Sequence, residues 1–184
     1  SGASRWPQFR GPNGSGVADG DKPPIHFGPG TNEIFKVSAP SGLSSPCVWD
    51  DQVFLTAFED GKLLTISYSA KDGKRLWSQA APFDKLEGYH PTQGSPAVST
   101  CATDGEGVYA YFGSAGLFAY NLDGKKVWEH RHPTAEHVGD FGTGTSPTVH
   151  SGLVLLNRDM IKGSHLLALR ASNGEVAWRA DRPE

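Results

Sequence analysis

Cysteine is nearly missing from this chain of 184 residues: there are two, Cys47 and Cys101. Two thiols are too few for a disulfide framework or a cysteine metal cluster. Counted from the Ser-Pro pairs described below, they stand four strand residues apart in level, roughly 13 Å along a strand. That is beyond the reach of a disulfide, so both read as small buried hydrophobes. An excess of charge of either sign is also missing. Seventeen basic and twenty acidic residues leave a net charge of −3. This excludes a basic field for nucleic acid and a strongly acidic tail. No apolar run approaches the roughly 20 residues that a membrane-spanning helix needs. The start, Ser1-Gly2-Ala3-Ser4, reads as a mature or trimmed end without a signal peptide. A Gly-rich phosphate loop, a nucleophile elbow and a His-Glu-x-x-His helix are all absent.

Glycine (23) and proline (13) are plentiful, as in a turn-rich β protein. They mark a repeat. Asp72-Gly73-Lys74-Arg75-Leu76-Trp77, Asp123-Gly124-Lys125-Lys126-Val127-Trp128 and Asn173-Gly174-Glu175-Val176-Ala177-Trp178 place their tryptophans 51 and 50 residues apart. Ser45-Pro46, Ser95-Pro96 and Ser146-Pro147 recur with the same period. A period of this size signals an array of like units. Between each Pro and the next Trp lie three turn signals and four short strands. In the first unit the strands fall near 46–50, 52–58, 62–69 and 75–80. The second unit has a longer first turn, from Thr103 to Gly107. The Asp-Gly and Asn-Gly pairs predict two-residue hairpins with both central residues at positive φ. Each unit is therefore a four-stranded antiparallel meander.

Val108–Phe112, Leu153–Leu156 and Leu166–Leu169 are continuous apolar runs. A strand with one wet face alternates, whereas a continuous run is covered on both faces. A small sheet covered on both faces and repeated every 50 residues is a blade between blades, which predicts an all-β β-propeller. A β-helix would repeat at a shorter period. The predicted blades are about 45–80, 95–130 and 146–180. Phe35 stands where a preceding Trp would be, so 33–38 is expected as the outer strand of another blade. Trp77, Trp128 and Trp178 are expected to wedge each blade against the next. Residues 1–32 read as an N-terminal arm and loop, with Trp6 and Phe9 as anchors, and 33–184 as a partial propeller. Rings usually close with four to eight blades. The chain thus reads as about half of a seven- or eight-bladed ring, or as one of two copies that associate through open blade edges.

Reactive side chains concentrate in the two longest loops, near 79–94 and 130–145. The first holds Tyr89, His90, Thr92 and Gln93. The second holds His130, His132, His137, Asp140, Phe141, Thr143 and Thr145. Loops on a rigid scaffold form a natural ligand site. Ligand-binding candidates are His90, Gln93, His137, Asp140, Thr143 and Asp159. His130, His132 and His137 fit no strong zinc spacing and read as a solvated loop. His90 and Asp140 have acid–base chemistry but no assignable partner. Asn157, Arg158 and Asp159 end a buried strand and are expected to satisfy backbone groups. No catalytic residue and no metal site is assigned.

Trp6-Pro7-Gln8-Phe9-Arg10-Gly11-Pro12, the Ser-Pro blade openings and the Asp/Asn-Gly-x-x-x-Trp closings resemble the PQQ-like propeller repeat family, the quinoprotein alcohol dehydrogenase-like superfamily. The run Tyr111 to Gly124 resembles its second blade. The resemblance implies an eight-bladed, periplasmic or secreted bacterial protein. The dehydrogenases of the family hold PQQ against an adjacent Cys-Cys disulfide, with Ca²⁺ on clustered oxygens. Neither feature matches this chain. The outer-membrane assembly lipoprotein BamB belongs to the same superfamily and is not an enzyme. The expectation is a non-catalytic extracytoplasmic platform for protein or glycan partners, without a cofactor. The alternative is a PQQ- or metal-dependent oxidoreductase whose site needs further blades.

Overall fold

The computed structural model describes residues 5–18 and 22–183. The expectation for Ser1–Ser4 lies outside the described residues. Among these, the regular structure is β apart from two 3-10 turns, Pro12–Gly14 and Val138–Asp140. Three antiparallel sheets follow one another. Blade 1 comprises β2 (Cys47–Trp49), β3 (Gln52–Glu59), β4 (Lys62–Ser69) and β5 (Arg75–Ala81), with the arm strand β1 (Arg5–Trp6) added beside β2. Blade 2 comprises β6 (Ala102–Thr103), β7 (Gly107–Phe112), β8 (Gly116–Asn121) and β9 (Lys126–Arg131). Blade 3 comprises β10 (Thr148–His150), β11 (Leu153–Arg158), β12 (His165–Arg170) and β13 (Val176–Asp181). These are the four-stranded meanders of a β-propeller.

The turns explain the register. Glu59 pairs with Lys62 across Asp60-Gly61, and both turn residues have positive φ, 49° and 71°. Ser151-Gly152 does the same at 49° and 73°. The outer hairpins differ from expectation. At Asp72-Gly73, Asp123-Gly124 and Asn173-Gly174 only the glycine has positive φ, and each hairpin carries a register shift. These are longer loops with a bulge.

The reason for the glycine lies in the neighbouring blade. A Cβ at Gly124 would stand 2.6 Å from the Trp77 ring, and one at Gly174 would stand 2.7 Å from that of Trp128. Each of these two indoles packs against the next blade's turn. Its Nε1–H donates to a carbonyl there: Trp77 to Leu122 and Trp128 to Ala171, both at 2.8 Å. Trp178 is 41% exposed, and no described glycine turn covers it.

Residues 33–38 form no strand. A strand is defined by a hydrogen-bonded neighbour, and none lies beside this segment among the described residues. Phe35 nevertheless covers Gly73, where a Cβ would stand 2.6 Å from its ring, as the tryptophans cover Gly124 and Gly174.

Blade 2 shows why its runs are continuous. Val108, Ala110, Phe112, Phe118 and Tyr120 join a core with Phe54 and Leu63 of blade 1. The alternate residues Tyr109, Tyr111, Leu117 and Ala119 join a second core with Val154, Leu156, Leu167 and Leu169 of blade 3. The period of 2 is intact, and both phases are apolar because both faces are covered.

Two further expectations change. Phe9 is 52% exposed rather than buried as an anchor, and the arm turns back on itself: Gly11 N–H donates to Gln8 O at 2.9 Å, and Trp6 packs on Gly11. The arm is held instead by its β1 pairing and by Thr103 N–H donating to Pro7 O at 2.8 Å. Cys47 and Cys101 are both free and buried, as read, but they share one core cluster. Residues 96–101 do not run as a strand, so a count of strand residues from Ser95-Pro96 does not measure their separation.

Candidate functional site

The loops 82–101 and 132–147 interlock. Thr134 Oγ1–H donates to Lys85 O at 3.1 Å, and Ala135 N–H to Gly113 O at 2.9 Å. At their junction Glu87 is buried. Its Oε2 accepts from the backbone N–H of Thr143 at 2.9 Å and from its Oγ1–H at 2.7 Å. Its own N–H donates to Ser114 Oγ at 2.9 Å. His137 Nε2 is 3.2 Å from Thr143 Oγ1 and 3.6 Å from Glu87 Oε2. The chain passes so close that Gly113 has no room for a side chain: a Cβ would fall 2.0 Å from Thr143 Oγ1.

Beside Thr143 a cavity of about 280 Å³ opens between blades 2 and 3. Tyr111 of β7 forms one wall. His137 and residues 143–145 of the loop form another, and Asn157, Arg158 and Asp159 at the end of β11 form the third. Arg158 is 3% exposed. Its Nε–H donates to Tyr111 Oη at 3.1 Å and its Nη2 to Pro133 O. Asp159 is held by Arg182 and by Asn157 Nδ2, the latter at 2.9 Å.

The electrostatics follow from burial. Desolvation raises the Glu87 carboxyl above its ordinary range, opposed by the two Thr143 bonds and the Arg158 charge. Desolvation lowers His137, and Arg158 lowers it further, while Asp159 opposes. His132 is pushed down to about 3, first by burial and then by Arg158, His130, His165 and Arg179. Its buried Nε2 has no hydrogen-bond partner.

Of the predicted site residues, the cavity brings together His137, Thr143 and Asp159. His90, Gln93 and Asp140 lie outside it. His90 stacks on Phe141 at 6.5 Å, Gln93 is exposed, and the Asp140 carboxyl packs against Gly88. The three loop histidines do not converge and are not all solvated. His130 and His132 are 4.9 Å apart at the blade 2–3 seam, with His165 6.5 Å beyond, whereas His137 sits at Glu87. No group of three His, Cys, Asp or Glu among the described residues is arranged to hold a metal ion. Sequence reasoning missed Glu87 and Tyr111, and it gave Arg158 only a backbone role. Glu87 stands alone between Leu86 and Gly88, with no motif to mark it.

The family model described as outer membrane protein assembly factor BamB matches residues 30–143, well over half the chain. The chain belongs to this BamB-like, PQQ-repeat family. No curated protein sequence matches it. Among solved structures it is similar to BamB from Moraxella catarrhalis at 14% identity, covering 76% of this chain and 38% of that one, with a TM-score of 0.52. It is similar to the quinohemoprotein alcohol dehydrogenase ADHIIG from Pseudomonas putida HK5 at 21% identity, covering 77% and 21%, with a TM-score of 0.57. The quinohemoprotein alcohol dehydrogenase from Comamonas testosteroni matches at 22%, covering 78% and 21%, with a TM-score of 0.55. At these identities the likeness is one of fold. The chain spans well under half the length of each of these relatives.

Proposed function

We propose that this chain is part of an extracytoplasmic bacterial propeller that works as a non-catalytic binding platform for protein or glycan partners. The observation that carries the reading is the buried Glu87–Thr143 junction, which locks two long loops into one fixed surface around a polar cavity. Preorganised loops on a rigid scaffold lower the ordering cost of recognition. The family model's own description, an outer membrane assembly factor, supports a location outside the cytoplasm and a protein partner. No helix among the described residues is long and apolar enough to cross a membrane.

The competing reading is a PQQ- or metal-dependent oxidoreductase whose site is completed by further blades. The residues described lend that cofactor no support. Cys47 and Cys101 lie in the blade 1–2 core, and the cavity offers Ca²⁺ a single carboxylate, Asp159, already held by Arg182. Adding PQQ and Ca²⁺ to the full-length protein tests the choice. The platform reading expects no bound-quinone absorbance and no oxidation of alcohols or sugars. A quinone spectrum with turnover would defeat it.

A further inference from the structure

Arg158 stands out among the charged groups of the molecule. It is almost fully buried, and both of its hydrogen bonds, to Tyr111 Oη and Pro133 O, go to neutral acceptors. Among the described residues no carboxylate lies within 4.0 Å of it. Glu87, the buried carboxyl nearby, is engaged by Thr143 instead. A guanidinium has five donors, and this one borders the cavity with donors to spare. Glu87 feels its charge without bonding to it, and a buried cation with no directly bonded counter-ion is costly, so an anion in the cavity would relieve it.

The rest of the lining narrows the anion. His137, Thr143, Thr145 and Asn157 are neutral lining groups. Thr143 already donates to Glu87 and Asn157 already bonds Asp159 and Arg182, so hydroxyls, which both donate and accept, meet their remaining capacity. Asp159, on the same wall, disfavours a multiply charged ligand such as phosphate but accepts from a hydroxyl. The volume of about 280 Å³ admits one sugar-sized ring. We infer that the cavity between blades 2 and 3 binds a hydroxylated monocarboxylate the size of a single sugar, a uronate, with its carboxylate on Arg158 and its hydroxyls on the loop and β11 groups. This rests on the binding-platform reading and gives its glycan partner a chemistry.

Calorimetric titration of the full-length protein with glucuronate, glucose and acetate tests it. Glucuronate should bind about ten-fold more tightly than either control, the scale of one charge-assisted hydrogen bond. Arg158→Gln should weaken it by a similar factor. Because Arg158 is buried, that variant also risks the fold, so Gly144→Leu is the second test. Gly144 lines the cavity, and a Cβ there meets open space, so a leucine should crowd the cavity with an unchanged melting temperature and weaken binding. Equal binding of glucose and glucuronate, undiminished binding by Gly144→Leu, or no heat with glucuronate overturns the inference. No glucuronate binding together with a silent PQQ titration removes this inference and leaves the platform reading. PQQ-dependent oxidation removes the platform reading whatever glucuronate does.

Discussion

Single side chains set the chemistry of the loop junction, and their protonation makes it respond to pH in two opposite ways. Glu87 has a raised folded value, so the folded state holds its proton more firmly than the unfolded chain. Its contribution is fully present below the ordinary Glu value of about 4.3 and is lost as pH rises through the raised one. Glu87→Gln keeps an oxygen for Thr143 and removes the charge. The melting temperature of this variant relative to wild type should therefore climb as pH rises above the ordinary Glu value. A difference that stays flat would show that Glu87 is not desolvated. His132 acts with the other sign. Its folded value of about 3 lies far below the ordinary 6.5. The neutral ring's contribution is present above about 6.5 and is lost as pH falls toward 3. His132→Phe should reduce the acid sensitivity of unfolding over that range. Gly113→Ala places a methyl where Thr143 Oγ1 and Glu87 Oε2 sit. It should cost on the order of 1–3 kcal/mol as overpacking and raise hydrogen exchange in 82–96 and 132–147. Unchanged exchange there would mean that the loops are not joined through Glu87.

At the scale of elements, the joint between blades is an indole on a glycine turn. Trp128 is 8% exposed, stacks near Tyr109 at 6.0 Å and donates to Ala171 O. Trp128→Ala should cost roughly 3–5 kcal/mol in chemical denaturation, and a cost near zero would contradict the wedge. Trp128→Phe keeps most of the buried area and loses the hydrogen bond, so about 1 kcal/mol is expected. The same device explains Phe35 on Gly73. The aromatic position of the repeat is kept in 33–38 although the strand ladder is not, because covering a glycine turn needs only a ring at the right height.

Across the whole molecule, contacts run from each blade to the next, as in other repeat arrays, where stability is close to a sum of unit and interface terms. Blade 2 is the unit covered on both faces. Weakening its joint to blade 3 through Trp128→Ala should therefore let β10–β13 exchange ahead of β2–β9. Uniform loss of protection over all three blades would indicate a single cooperative unit instead.

The 50-residue period, the continuous apolar runs and the turn pairs determined by themselves that this is a propeller of four-stranded blades. They are local signals, each tied to a backbone geometry or to burial on two faces. Strands β3, β4 and β5 fall within a residue or so of where those signals put them. The site was legible only in part. That reactive groups gather in the loops was readable from composition, and His137, Thr143 and Asp159 do meet. Which of them meet was decided by tertiary structure, because Glu87 finds Thr143 56 residues away and Arg158 finds Tyr111 47 residues away. A loop's path carries no periodicity to read. Its side chains meet partners only after two neighbouring blades have been docked, and the docking itself is the work of an indole on a glycine.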